Sequence, residues 1–426
     1  MFELAPDLLI LLILCLTAAC GFEFVNGFHD TANAVATVIY TNSLKPNTAV
    51  VWSGICNFVG LMTSTVFGLG VAIGIINLLP IDMLIDQDIY HSVAMVLALL
   101  LSAIIWNLGT WYYGLPSSSS HTLIGSILGV GIAFSFMPES TGTAINWGKA
   151  REIGLSLLIS PFFGFSMTIL LMFLLRRFTK NTDIFKEPKK NQPPPTWIRS
   201  ILVLTCTGVS FFHGMNDGQK GVGLVMLILI GIVPSYYALD TSVNPANMKS
   251  HLSSIEQTLS RIDTLHISAT DKNLLKDVQS EITELRSTLS KDTLSGKIDR
   301  KSGLTIRRDI LLIASQTTKL ASSKEVNLSK EAISGLKKEV SGLKTFTDYA
   351  PDWVLVMISF SLGLGTMVGW KRIVKTVGEK IGKQHLTYAQ GASAELVAAI
   401  TIGASTGFGL PVSTTHVLSS GIAGSM

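Results

Sequence analysis

The chain has 426 residues, a mean hydropathy of +0.45, 48% hydrophobic side chains and only 15% charged ones, against roughly 25% charged in an ordinary soluble protein. Half of the charges, 17 Lys/Arg and 14 Asp/Glu, fall between residues 240 and 349, so the net charge of +4 says less than its distribution. This excludes a soluble enzyme, a nucleic-acid binder and a disordered chain, and leaves an all-α polytopic membrane protein with one polar insert.

At the N-terminus, Glu3 and Asp7 precede the first apolar run where a secretory signal would be basic. A bilayer core of roughly 30 Å needs about 20 apolar residues per helix. Segments 8–40, 49–78, 92–112, 117–137, 153–175, 200–236, 353–370 and 388–408 qualify, followed by a stub from 411. Two are too long for one straight crossing, 8–40 with 33 residues and 200–236 with 37. Both carry glycines and polar groups midway and are expected to be broken helices or helices with a re-entrant partner, because backbone unwinds at membrane depth only where protein or a wet cavity receives it. Cys15, Cys20, Cys56 and Cys206 lie in apolar stretches without zinc spacing, so no disulfide framework is expected.

The loops set orientation. Loop 176–199 holds seven basic residues against Asp183 and Glu187, and 371–387 holds five against Glu379, whereas 79–91 is acidic through Asp82, Asp86 and Asp88. Lys/Arg-rich short loops stay cytoplasmic, which puts the N-terminus and the insert outside. The expected organisation is a first transmembrane repeat at 1–175, a basic cytoplasmic linker at 176–199, the start of a second repeat at 200–236, a helical extramembrane insert at 237–350, and the remainder of the second repeat at 351–426. Within the insert, Leu252/Ile255/Leu259/Ile262, Leu275/Val278/Ile282/Leu285/Leu289 and Ile333/Leu336/Val340/Leu343 form apolar stripes at helical spacing.

Two pairs of segments repeat. Phe24-Val-Asn-Gly-Phe-His-Asp30 matches Phe211-Phe-His-Gly-Met-Asn-Asp217, and Gly114-Leu-Pro-Ser-Ser-Ser-Ser-His121 matches Gly409-Leu-Pro-Val-Ser-Thr-Thr-His416. The offsets, 187 and 295, differ by 108, which the insert accounts for. Five crossings separate the two copies, so the second runs the opposite way. The expected fold class is therefore two inverted-topology repeats with broken helices and re-entrant hairpin segments, an architecture that places substrate near the midplane. After His121, 54 residues pass before the apolar run ends at Leu175, but only 10 follow His416. The C-terminus is accordingly expected to be truncated, without a counterpart of 153–175.

Asp30 and Asp217 are ionisable groups inside apolar segments, which mark an ion or substrate path. Each Gly-Leu-Pro turn leads into hydroxyl residues (Ser118, Ser119, Ser120; Ser413, Thr414, Thr415), and a proline followed by Ser/Thr suits a helix start. Free N–H groups, hydroxyls and the positive end of a helix dipole then meet in one spot, a site for a tetrahedral oxyanion. Carboxylates beside an anion repel it strongly at low dielectric, so a cation has to stand between them. Cation-coupled oxyanion symport follows. His29, His121, His213 and His416 could move protons, help bind a metal, or simply pack. Gly125, Gly129, Gly221, Gly223, Gly363, Gly365 and Gly369 read as close-packing surfaces.

The run Gly27-Phe-His-Asp-Thr-Ala-Asn-Ala34 resembles the Gly-Ala-Asn-Asp-Val-Ala-Asn-Ala signature of the inorganic phosphate transporter (PiT) family, and Gly214-Met-Asn-Asp-Gly-Gln-Lys-Gly221 is similar to the second signature in its proteobacterial low-affinity members. The resemblance covers essentially the whole membrane portion. It implies a symporter of inorganic phosphate in the cytoplasmic (inner) membrane, with no enzymatic activity, no resident cofactor and no nucleic-acid partner; a homo-oligomer is compatible with it. It implies phosphate on Ser118, Ser119, Ser120, Ser413, Thr414 and Thr415; Thr122 and Lys220 are further candidates for the phosphate. Cation or proton coupling falls to Asp30, Asn33, Asn216 and Asp217, with His29; no resident metal is assigned. Lys220 replaces the final Asn of the second signature. A fixed ammonium there disfavours Na⁺, so a co-transported proton is expected, with a divalent metal travelling as a metal–phosphate complex. Alternatives are a sulfate or other oxyanion permease, a sodium-coupled phosphate symporter, a non-transporting phosphate sensor, and an intramembrane metalloenzyme on His29, Asp30, His213 and Asp217. The last lacks helical His-x-x-x-His spacing and an evident nucleophile.

Overall fold

The computed structural model describes residues 4–79, 89–137, 145–189, 192–264, 267–295, 300–323, 325–380 and 386–426; the side chains of residues 31, 33, 245, 290–295, 300, 301 and 377–380 fall outside it. The acidic residues Asp82, Asp86 and Asp88, together with Lys190 and Lys383, lie outside the described residues. All regular elements among the described residues are helical. The chain divides into two compact units, one of Met1–Pro80, Val93–Ile228 and Ala350–Met426, the other of Ile81–Ser92 and Leu229–Tyr349.

The first unit is built on α1 (Pro6–Tyr40), α2 (Pro46–Phe67), α3 (Gly70–Ile76), α4 (Ile89–Tyr112), α5 (Ser119–Ser135), α6 (Trp147–Phe178) and α7 (Thr196–Ile232). Of these, α1, α2, α4, α6 and α7 are long and apolar enough to cross a membrane, while α5 is a shorter apolar helix. Large apolar side chains such as Ile105, Leu158, Ile159, Phe162 and Phe173 are exposed on α4 and α6, the reverse of a water-facing surface.

Contrary to the expectation from their length, α1 and α7 are unbroken, with 35 and 37 residues respectively. Their central glycines serve another purpose. Gly27 of α1 lies against the backbone of Leu362 and Thr366, so a Cβ there would sit 2.8 Å from the Thr366 nitrogen. Gly214 of α7 lies in the same way on Asn57, where a Cβ would come within 2.6 Å of its Cα. Both glycines let a neighbouring helix approach, and neither interrupts its own.

The break falls elsewhere. Segment 49–78 reads as one span but forms α2 and α3, parted at Gly68, whose φ of +99° suits glycine. Gln219 of α7 receives the freed backbone: its Oε1 accepts from Val71 N (3.0 Å) and Ala72 N (3.3 Å), and its Nε2 donates to Gly68 O (3.2 Å). A helix can open in an apolar interior when a side chain satisfies it in this way.

Chain reversals occur at the two Gly-Leu-Pro turns. Gly114 and Gly409 have φ values of +67° and +69°, and Ser118 and Ser413 cap the helices that follow, accepting from His121 N and His416 N. Gly125 and Gly129 of α5, expected to pack closely, have nothing within 4 Å of an added Cβ.

The second unit carries the short helix α8 (Pro234–Tyr237), then α9 (Pro245–Leu259), α10 (Ala269–Ser295), α11 (Arg300–Ser322) and α12 (Lys330–Lys344). All three apolar stripes enter its core, joined by Ile306, Ile310 and Ile313 of α11, a helix the stripes did not reveal. The guanidinium of buried Arg307 donates to Ala238 O (3.0 Å) and Thr347 O (2.8 Å), tying the entry of the chain into this unit to its exit. Burial pulls the Arg307 ionisation down to about 10, with Asp348 opposing, so it stays charged at neutral pH. The chain then returns to the first unit through α13 (Asp352–Met367), α14 (Lys371–Lys380), α15 (Tyr388–Gly407) and α16 (Thr414–Ser425). There α13 packs on α1 and α2, and α6 on α15 and α16.

This packing is open to test at two places. Gly214→Ala lowers the stability of the detergent-solubilised protein by about 1–3 kcal/mol through overpacking, whereas Gly129→Ala, inside a helix and facing open space, does not lower it and adds up to about 1 kcal/mol. Arg307→Met strands two buried carbonyls and destabilises the second unit by about 3 kcal/mol, read as faster amide exchange in α9 to α12.

Candidate functional site

Four segments converge in the first unit. From α1 come His29 and Asp30, from α7 His213, Asp217 and Lys220, and from the starts of α5 and α16 the hydroxyls after each Gly-Leu-Pro turn. Asp30 accepts from Ser119 Oγ and Thr415 Oγ1, each at 2.6 Å, one on each carboxylate oxygen. Asp217 accepts a longer bond from the same Ser119 Oγ, 3.4 Å, and pairs with Lys220 Nζ at 2.8 Å. Lys220 Nζ also donates to Ser120 Oγ and to Val412 O (3.4 Å), and Ser120 Oγ donates to Val412 O at 2.8 Å. One ammonium therefore bridges a carboxylate and both turns. Asp217 and Lys220 are 0% and 1% exposed.

His213 completes the group. Its Nδ1 lies 2.9 Å from Asn57 Oδ1, while Asn57 Nδ2 donates to Thr366 Oγ1 at 2.9 Å. That arrangement aims the amide oxygen at the ring, so Nδ1 carries a proton. Nε2 faces Asp217 Oδ2 at 3.7 Å and Asp30 Oδ2 at 3.8 Å and has no hydrogen-bond partner among the described residues. Ligand atoms of Asp30, His213 and Asp217 all lie within 4.8 Å of one another. The two buried carboxylates have one ammonium beside them, and buried charge is paired, protonated or bound to a cation. Two carboxylate oxygens and an imidazole nitrogen fit a divalent metal as donors.

Not every residue singled out in the sequence joins this group. His29 Nε2 is bound to Thr110 Oγ1 (3.2 Å) and its Nδ1 stands 3.7 Å from Asp30, so His213 is the imidazole between the carboxylates. Asn216 is committed to the second turn: its amide donates to Thr406 Oγ1 (2.8 Å) and Leu410 O (3.2 Å) and accepts from Val412 N (3.3 Å). The Asn33 side chain lies outside the described residues. Among the hydroxyls, Ser119, Ser120 and Thr415 reach the charged groups, while Ser118 and Ser413 are helix caps. Thr122 bonds back to Ser118 O (3.0 Å), and Thr414 Oγ1 is buried without a hydrogen-bond partner among the described residues. His121 and His416 face each other, ring centroids 4.7 Å apart, beside a cavity of about 740 Å³ lined by Ser117, Ser118, Thr122 and Ser126.

Sequence reasoning missed Asn57, Thr366, Gln219 and two buried carboxyls, Glu23 of α1 and Glu395 of α15, the latter accepting from Thr205 Oγ1 at 2.6 Å. A polar residue inside an apolar span was the available signal.

Comparisons with known proteins bear on what this arrangement serves. Residues 26–426 match the phosphate transporter family, PHO4. The chain is 40% identical over 445 aligned residues to a low-affinity inorganic phosphate transporter of Buchnera aphidicola subsp. Acyrthosiphon pisum (strain APS), and 39% identical over 453 to the low-affinity inorganic phosphate transporter PitA of Escherichia coli (strain K12). Both alignments cover 98% of this chain and 89% of the relative. A probable low-affinity inorganic phosphate transporter of Bacillus subtilis (strain 168) is 30% identical, covering 98% of this chain and 86% of the relative. Among solved structures, the sodium-dependent phosphate transporter shares the fold with a TM-score of 0.52 at 17% identity, over 97% of this chain and 89% of that one. A family match across nearly the whole sequence, joined to relatives of this identity and coverage, means that the chain belongs to the phosphate transporter family.

Proposed function

We propose that this chain is a secondary active symporter that carries inorganic phosphate across the cytoplasmic (inner) membrane, driven by protons and taking its cargo as a metal–phosphate complex. The N-terminus and the insert 237–350 face outside in this reading, with the two halves inserted in opposite senses. One observation carries it: two hydroxyl-bearing turns from distant parts of the chain close on a pair of buried carboxylates, with one ammonium bridging them. The relatives' names supply phosphate as the oxyanion.

The roles follow from the donors present. Ser119, Ser120 and Thr415, with the first backbone N–H groups of α5 and α16, offer hydrogen bonds to phosphate oxygens. Hydroxyls that donate to Asp30 turn to phosphate as it arrives, and Asp30 then needs a positive partner. A divalent metal travelling with the phosphate meets that need between Asp30, His213 and Asp217. Lys220 supplies a fixed positive charge at Asp217, where a sodium-driven protein would hold a mobile one, and this supports the proton as driving ion.

Labelled phosphate and sulfate uptake into transporter-deficient cells tests the substrate; sulfate uptake without phosphate uptake overturns the reading. Lys220→Asn leaves Asp217 buried without its ammonium, a loss of about 3–5 kcal/mol for one member of a buried pair, and abolishes proton-driven uptake. Unchanged transport in that variant, together with indifference to a collapsed proton gradient, rules out proton coupling. His213→Gln removes the nitrogen ligand, so uptake of labelled divalent metal with phosphate falls, and chelating the metal no longer lowers phosphate uptake as it does in the unaltered protein.

A further inference from the structure

Glu23 lies seven residues before Asp30 on α1, two turns away on the same face. It is fully buried. Oε2 accepts from Asn26 Nδ2 at 3.1 Å, whereas Oε1 has no hydrogen-bond partner, and Glu23 makes no ion pair among the described residues. Its carboxyl rests on Gly221 of α7, where a Cβ would come within 2.6 Å of Glu23 Cδ. Gly221 follows Lys220, the residue that joins Asp217 to the first turn. The acid thus abuts the helix segment whose ammonium engages the site, and among the described residues no hydrogen bond or ion pair joins it to Asp30, His213 or Asp217.

Its charged surroundings are few. On its own helix they are Cys20 and Asp30, and on α7 they are Asp217 and Lys220. Helices α2 and α3 contribute no ionisable group except Cys56, and α13 only Asp352 at its first residue. On α14, Arg372 is held by Tyr112 O and the Trp111 ring, Lys371 lies over Trp370, and Lys375 is exposed. The other helices that touch α1 carry His121 on α5, Tyr388 and Glu395 on α15, and His416 on α16. A fully buried carboxylate with one hydrogen bond, no ion pair among the described residues and two other carboxylates nearby is costly to keep ionised, and a proton removes that cost without any other ion entering.

We propose that Glu23 is the proton-binding residue of the transport cycle, taking a proton onto its unpartnered oxygen from the more acidic side and releasing it on the other. One O–H bond forms on uptake and the same bond breaks on release; the proton comes from water and returns to water. Phosphate arriving beside Lys220 offsets part of its positive charge while the ammonium stays on Asp217, so the field at Gly221 changes, and with it the hold of Glu23 on its proton. This rests on the proton-symport reading above and names the group that serves it.

The test uses the full chain in proteoliposomes, with inorganic phosphate and an imposed pH difference in the absence of sodium. Glu23→Gln keeps the shape and cannot release a proton. It is expected to lose accumulation driven by the pH difference, while phosphate exchange, which needs no net proton movement, survives. Glu23→Asp keeps an acid on a shorter arm and is expected to accumulate phosphate with a displaced pH optimum. Accumulation in Glu23→Gln with the pH profile of the unaltered protein overturns the assignment, as does equal loss of accumulation and exchange. Should Glu23→Gln not fold, Glu23→Asp decides alone: an unmoved pH profile overturns the assignment. An unaltered protein that ignores the pH difference and responds to sodium overturns the coupling reading itself, and that outcome is visible before any substitution is made.

Discussion

Two carboxylates held together out of water dominate this structure. Asp30 and Asp217 share the Ser119 hydroxyl and face one imidazole nitrogen, with a single ammonium at hand. Like charges so close in a low-dielectric interior repel by far more than in water, so the arrangement persists only with positive charge supplied. Lys220 provides one unit permanently. A proton or a metal ion at this place is held by the same two carboxylates, so the site favours positive charge beyond that of Lys220.

Helix packing makes the encounter possible. Gly27 brings α1 against α13, and Gly214 brings α7 against α2, at backbone-to-backbone distances that any side chain would prevent. Each glycine is three residues before its aspartate, so the same crossing that seats the helix places the carboxylate. The continuity of α1 and α7 belongs to this logic: an unbroken helix fixes the spacing of the charged residues along it, and the irregular backbone sits at the Gly-Leu-Pro turns and at Gly68. From α7, the Gln219 amide closes the opened backbone around Gly68, so the helix that carries Asp217 and Lys220 also supports the break.

Much of this is legible in the chain itself. The duplicated Asp30/Asp217 and Ser/Thr turns stand out because an internal repeat supplies its own comparison, and the caps at Ser118 and Ser413 follow from local backbone chemistry. Three insert helices announced themselves through apolar stripes. The α11 stripe of Ile306, Ile310 and Ile313 has the same spacing, but the burial of Arg307 beside it is not legible, because carbonyls 69 and 40 residues away along the chain receive it. Segment 49–78 is mostly apolar and reads as one span, so hydropathy does not place the turn at Gly68.

Composition, spacing and repetition are properties of the linear chain, and they suffice to establish that apolar helices surround a polar, duplicated centre. Which polar groups meet there is settled by the packed helices alone. They select His213 over His29 for the place between the carboxylates, turn Asn216 toward the second turn, and put Glu23 against Gly221. The reason is one of range. A hydrogen bond or ion pair depends on separations of a few ångströms between residues as much as 385 positions apart, as for Thr415 and Asp30, and no local pattern encodes that distance.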